Sequence, residues 1–144
     1  MTLNSGELLR LIGMVINSVM DIRFEKTKFP PKEWIPDMLR LGLIINPRAE
    51  LFLIIINGVV AGCCGLLIKK GGTCLFKTDY ILPEFRGIGL HRHTLTYRIA
   101  YCYQIKATAI IANCTKMSVK NYLTFGFVPT KFFRNGIVAV RLEL

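Results

Sequence analysis

Asp79-Tyr-Ile-Leu-Pro-Glu-Phe-Arg-Gly-Ile-Gly-Leu-His-Arg92 is the stretch from which the rest of the chain is read. Tyr80, Ile81 and Leu82 suit a strand, and Pro83 cannot continue a central one. Gly87 and Gly89 then open into about fifteen residues of helical character. A strand, a glycine turn and a helix start leave backbone N–H groups unpaired at the positive end of a helix, with no side chains to hold an anion away. Such a turn suits phosphate. Two common phosphate patterns fail: G-x-G-x-x-G needs glycine where Arg92 stands, and no G-x-x-x-x-G-K-[ST] occurs. No acid lies between Glu84 and Glu143, so the carboxylate that holds a dinucleotide ribose is missing as well.

Upstream of this loop, Asn4 and Glu7 have the spacing of a capping box, and Leu8, Ile12, Val15, Ile16 and Val19 recur on one helical face. Asp21 to Phe29 reads as charged and irregular, closed by Pro30-Pro31. A short helix is expected from near Pro36, with Asp37 in its first turn, to about Gly42. Phe24, Phe29 and Trp34 read as packing anchors around this connection. Leu51–Ile56 and Val59–Lys69 form a hairpin over Asn57-Gly58, and Gly71-Gly72 turns the chain into a strand from Cys74 to Leu82, a three-strand meander.

Downstream, a helix runs from after Gly89 to about Gln104, its Tyr97, Tyr101 and Tyr103 read as core. Thr108–Asn113 reads as a buried parallel strand reached by a right-handed crossover. Lys116–Thr124 reads as a helix stopped by Gly126, and Phe127–Phe133 and Ile137–Leu144 pair across Asn135-Gly136.

The 144 residues, 52% hydrophobic, read as one domain with a core that needs no covalent staples. Five cysteines without a C-x-x-C support neither a disulfide framework nor a zinc site, and a reducing cytoplasmic setting fits them. Adjacent Cys63 and Cys64 read as small apolar strand residues. The formal net charge is +10, and Phe85 to Leu142 holds nine Lys or Arg and no acid, a field suited to a polyanion. Leu51 to Ile68 is eighteen residues without a charge, long enough to span a membrane, but Asn57-Gly58 in its middle favours the hairpin. Glu7 and the lack of a basic leader argue against a signal peptide.

Arg86-Gly-Ile-Gly89-Leu-His91 resembles the acyl-CoA pyrophosphate loop of the GNAT superfamily of N-acetyltransferases, R/Q-x-x-G-x-G/A. Arg86 and Gly89 match, and His91 stands where the family has glycine or alanine. Ser118-Val-Lys-Asn-Tyr122-Leu-Thr-Phe-Gly126-Phe127 resembles a second family signature, a tyrosine four residues before Gly-Phe. Thr115 stands where the family often has asparagine. The order of elements is similar over most of the chain. The resemblance implies one α/β (α+β) domain over residues 1–144: a mixed, mostly antiparallel twisted sheet with a splayed central parallel strand pair, flanked by helices.

It also implies a function, transfer of an acetyl group from acetyl-CoA to a primary amine. The cofactor's pantetheine arm would pair with exposed backbone near Tyr80, Ile81 and Leu82. Amides of Gly87, Ile88, Gly89, Leu90 and His91 would hold the pyrophosphate, with Arg86 supporting the loop and Arg92 touching the phosphates. Tyr122 would be the general acid that protonates the departing sulfur, and Asp79 the favoured base, with Glu84 facing solvent and His91 and His93 as hydrogen-bond donors. The acceptor amine is unspecified. A basic nucleic-acid-binding module on the same fold, or transfer to an amine of a nucleic acid or aminoacyl-tRNA, is the alternative. Monomer and homodimer both stand open.

Overall fold

The computed structural model describes residues 4–7 and 20–144. The expected helical face from Leu8 to Val19 lies outside the described residues. The capping box that would open it is formed: Glu7 N–H donates to Asn4 Oδ1 (2.8 Å) and Asn4 N–H to Glu7 Oε2 (3.2 Å).

Among the described residues, seven strands make one sheet: β1 (Ile22–Thr27), β2 (Glu50–Ile56), β3 (Val59–Ile68), β4 (Thr73–Ile81), β5 (Ala109–Cys114), β6 (Val128–Phe132) and β7 (Val138–Glu143). Their spatial order is β1-β2-β3-β4-β5-β7-β6, and every neighbouring pair is antiparallel except β4 with β5. Among the described residues, three α-helices of six residues or more flank it: α1 (Ile35–Arg40), α2 (Leu90–Gln104) and α3 (Val119–Thr124).

β1 corrects the expectation of an irregular Asp21–Phe29. Ile22 and Phe24 are half-buried and alternate with exposed Arg23 and Glu25, the period-2 pattern of a half-covered strand. It pairs along β2 from Ile22↔Ile56 to Thr27↔Leu51, so the meander has four strands rather than three.

The charge-free run from Leu51 to Ile68 folds as the β2–β3 hairpin, with Ile56 opposite Val59. Asn57 (φ 49°) and Gly58 (φ 79°) both sit in the left-handed region, as a two-residue type I′ turn requires. Among the described residues, no helix is long and apolar enough to cross a membrane.

The core lies on both faces of the sheet. On one, α2 and α3 cover Phe52, Ile54, Cys64, Leu66, Phe76 and Ile110. On the other, Trp34 and Met38 meet Leu51, Cys63 and Tyr80. Cys63 and Cys64 thus face opposite ways, and burial pushes each thiol up to about 12, which makes them inert apolar fillers.

Candidate active site

The site is built by an irregularity in β4. Its register with β3 steps from Cys63↔Tyr80 to Gly65↔Lys77, one residue more on β4 than on β3, and Thr78 takes a left-handed φ of 61° there. A bulge of this kind bends its strand and re-aims the side chains beside it. β4 therefore stays with β5 only from Thr73↔Ala109 to Phe76↔Ala112. Beyond that point the two strands part around a cleft of about 350 Å³, lined by Lys77, Thr78 and Asp79 on one side and Asn113, Cys114 and Thr115 on the other. His91 and Tyr122 close its floor from α2 and α3.

Arg98, from the middle of α2, is wholly buried beneath this cleft. Its guanidinium holds Asp79 in a two-pronged pair (2.7 and 2.8 Å), donates to the Gly65 carbonyl (2.9 Å), and lies 4.3 Å from the Phe76 ring centre. Burial opposes the charge most strongly. Asp79's field and hydrogen bonds, with smaller contributions from neighbours, outweigh it and hold Arg98 above the ordinary arginine value. Asp79, expected as the base, has both oxygens engaged by this one cation.

His91 continues the chain of contacts. Its Nε2 stands 3.9 Å from Asp79 Oδ2, and its Nδ1 lies 3.0 Å from the carboxamide nitrogen of Asn121, so Nδ1 accepts and Nε2 carries the proton in this arrangement. Burial, only partly offset by Asp79 and reinforced by Arg98, lowers its pKa below histidine's usual 6.5, leaving a neutral imidazole at neutral pH. Its ring meets Tyr122 edge-on at 5.3 Å, and Tyr122 in turn meets Phe127 at 5.1 Å.

Tyr122 is 4% exposed. Burial first, then the negative charge of Asp79, pushes its phenol well above the usual value, so it stays protonated and able to donate. Thr115 caps the turn into α3: its hydroxyl accepts from Ser118 N–H (3.3 Å), while its own N–H donates to Ser118 Oγ (3.0 Å).

The glycine loop lies against the same floor. Gly87 (φ 79°) and Gly89 (φ 84°) both need the left-handed region, and a methyl group built on either would touch nothing within 4 Å. Gly89 caps α2. Among the described residues, no acceptor in hydrogen-bond geometry takes the amide hydrogens of Gly87, Ile88, Gly89, Leu90 or His91. Leu90 turns its side chain into the core, Ile88 is exposed, and Arg86 Nε–H reaches back to the Ile81 carbonyl (2.8 Å) to tie the loop to its strand. A second hollow of about 370 Å³ runs from Ile81 and Phe85 past Gly87 and Gly89 to Met117 and Asn121. His91 borders both hollows.

The remaining expected residues fall into place around this centre. Tyr80 pairs with Cys63 in the sheet, and its hydroxyl donates to Asp37 Oδ2 (2.6 Å), so its side chain braces α1. Leu82 N–H donates to the Ala61 carbonyl (2.8 Å). Arg92, His93 and Glu84 are exposed. Tyr97 stacks on Phe24 at 4.1 Å and Tyr101 meets Phe52 edge-on, but Tyr103 is 61% exposed and is not core, and Phe29 is likewise exposed. Arg98, Asn121 and the bulge at Thr78 were not anticipated. A signal for Arg98 exists in its spacing from Leu95 and Cys102, which puts a charge on the buried stripe of a helix.

No protein-family model matches the sequence, and no curated protein matches it. Solved structures match the fold. An acetyltransferase of Bacillus subtilis in complex with CoA superposes with a TM-score of 0.69 at 16% identity, covering 86% of this chain and 99% of that one. A GNAT family acetyltransferase of Elizabethkingia anophelis with acetyl-CoA bound gives 0.63 at 17% identity, covering 87% and 98%. The IAA acetyltransferase of Bacillus cereus gives 0.65 at 18% identity, covering 86% and 100%.

Proposed function

Proceeding from the GNAT fold, which these likenesses establish, we propose that the chain is an acetyl-CoA-dependent N-acetyltransferase that moves the acetyl group directly to a primary amine. The observation that carries this reading is the run of unclaimed amides from Gly87 to His91, over open space, beside a cleft that Tyr122 floors. Five N–H donors at the positive end of a fifteen-residue helix suit a diphosphate, and glycine lets it approach the backbone. The parted strands β4 and β5 offer a slot beside that loop for an extended chain, and the backbone at their diverging edges offers it hydrogen bonds.

Transfer to an amine needs a proton for the departing thiolate. A phenol kept protonated by burial supplies one from Tyr122. Asp79 in this reading is not the base, because its charge is committed to Arg98. Paired in this way, it neutralises the buried guanidinium and fixes the β4 side of the cleft.

The test is calorimetry of acetyl-CoA against the folded protein at low salt. Binding near one to one is expected, and Gly89→Val, which puts a branched side chain in a left-handed position over the loop, should abolish it while leaving the circular dichroism spectrum unchanged. Absence of binding to the unaltered protein overturns the reading.

A further inference from the structure

The described carboxylates around the cleft are all spoken for or elsewhere: Asp79 is held by Arg98, Asp37 by Tyr80 and Arg40, and Glu84 is out in solvent. What remains inside is an imidazole. Building on the acetyltransferase reading, we infer that His91 is the group that takes the proton from the acceptor amine, steadied by Asn121 on Nδ1 and facing Asp79 with Nε2.

Geometry carries the inference in three ways. His91 borders both the glycine-loop hollow and the cleft between the strands, which puts it where the two substrates would meet. Its partner on Nδ1 is an amide rather than a carboxylate. A half-turn of the Asn121 carboxamide exchanges donor for acceptor, moves the ring proton to Nδ1, and frees the Nε2 lone pair toward the cleft. The imidazolium formed when Nε2 gains a proton is then met by Asp79 on one side and by the Asn121 oxygen on the other. The charged and titratable groups facing the ring are Asp79 from β4, Arg98 within α2 and Tyr122 from α3. Burial dominates them and keeps the ring neutral and ready to accept.

The protons balance. An ammonium acceptor gives one N–H proton to His91 Nε2, and its lone pair forms the new C–N bond to the thioester carbon. Collapse breaks the C–S bond, and the thiolate takes the Tyr122 hydroxyl proton. The tyrosinate is restored by the proton held on His91, and the one left on the amide nitrogen passes to water. Net change is one thiol, one amide and one released proton.

The experiment compares the unaltered protein, His91→Gln and Asn121→Asp. Acetyl-CoA binding is measured by calorimetry, and thiol release from acetyl-CoA with a panel of the α-amino acids, spermidine and a lysine peptide is followed from pH 5.5 to 9. Unaltered protein should lose kcat/KM as pH falls through a midpoint below 6.5, because the neutral ring is the working form. His91→Gln should bind acetyl-CoA as before, fall about 10²–10⁴-fold in rate at neutral pH and show no such acid limb. Asn121→Asp places a carboxylate beside Nδ1, so the limb should move to higher pH, which a merely structural role would not produce. A His91→Gln rate within twofold of the unaltered protein, or an acid limb that survives in it, overturns the inference and leaves the acetyltransferase reading standing. Lack of acetyl-CoA binding, or binding without transfer to any amine of the panel, overturns both.

Discussion

Arg98 is a full positive charge shut off from solvent, and a charge so placed is tolerated only while its partner is present. Asp79→Asn removes that partner and leaves the guanidinium with neutral acceptors alone. The expected loss is about 3 kcal/mol, at the low end for a broken buried pair because the carboxylate side is 34% exposed. Urea denaturation reads it directly. The same variant separates two roles: a base lost from an intact fold would lower the rate at unchanged stability, whereas a lost counter-ion lowers stability first. Tyr122 makes the complementary case. Tyr122→Phe keeps the ring that packs on His91 and Phe127 and removes only the hydroxyl, so acetyl-CoA affinity should hold while kcat falls about 10²–10⁴-fold. Its sign with pH is also fixed. Burial raises the phenol's pKa, the protonated donor is the working form, and it persists up to that raised value, so no alkaline loss due to Tyr122 is expected below pH 10. A limb centred between pH 8 and 9.5 that disappears in Tyr122→Phe would show the phenol to be more acidic than this burial allows.

β3 and β4 carry the bulge, and they approach so closely that one position admits no side chain. A methyl group on Gly62 would stand 2.3 Å from the Tyr80 carbonyl oxygen, which is backbone and cannot swing away. Gly62→Ala should therefore cost about 1–3 kcal/mol by forcing the strands apart, measured as a shift in thermal midpoint, and an unshifted midpoint would contradict the pairing. Gly89→Ala is the contrasting case, with open space around the methyl and only the left-handed φ of 84° to resist it. About 1 kcal/mol of strain is expected, together with a larger proportional loss of acetyl-CoA affinity as the loop relaxes. These elements differ in how openly the chain announced them. The hairpins at Asn57-Gly58 and Gly71-Gly72 and the helix stop at Gly126 are spelled by residues that tolerate positive φ. β1 was hidden because an edge strand turns Arg23, Glu25 and Lys26 outward and reads as a charged loop. The bulge was hidden because threonine carries no left-handed signal, so Thr78 looks like any strand residue.

At the scale of the whole molecule, the sheet with two covered faces follows from the continuous apolar runs of β2 after Glu50, of β3, and of β5 from Ala109 to Ala112, which is why the mixed fold was readable. The site was readable only in part. The glycine loop and Tyr122 belong to short local patterns, whereas the Arg98–Asp79–His91–Asn121 chain joins three elements, α2, β4 and α3, through contacts that no spacing encodes. Charge is the property that belongs to no single element. Phe85 to Leu142 holds nine cations and no acid; Arg98 is withdrawn into the core and Arg141 pairs with Glu143, and the other seven are exposed and act outward together on an approaching polyanion. Such a field is screened over about 10 Å at 0.1 M salt and about 3 Å at 1 M, while amide hydrogen bonds at a helix end are made at contact and suffer less. Acetyl-CoA affinity should then fall several-fold to about tenfold between 50 and 500 mM NaCl and level off instead of vanishing. Titrating a single-stranded oligonucleotide under the same conditions supplies the contrast. Counter-ion release makes nucleic-acid affinity fall as a steep power of salt, so an oligonucleotide that binds more tightly than acetyl-CoA at 50 mM and keeps that power law would favour the nucleic-acid alternative. Weak oligonucleotide binding beside a levelling acetyl-CoA curve would assign the charge to gathering the thioester, with the loop amides holding it.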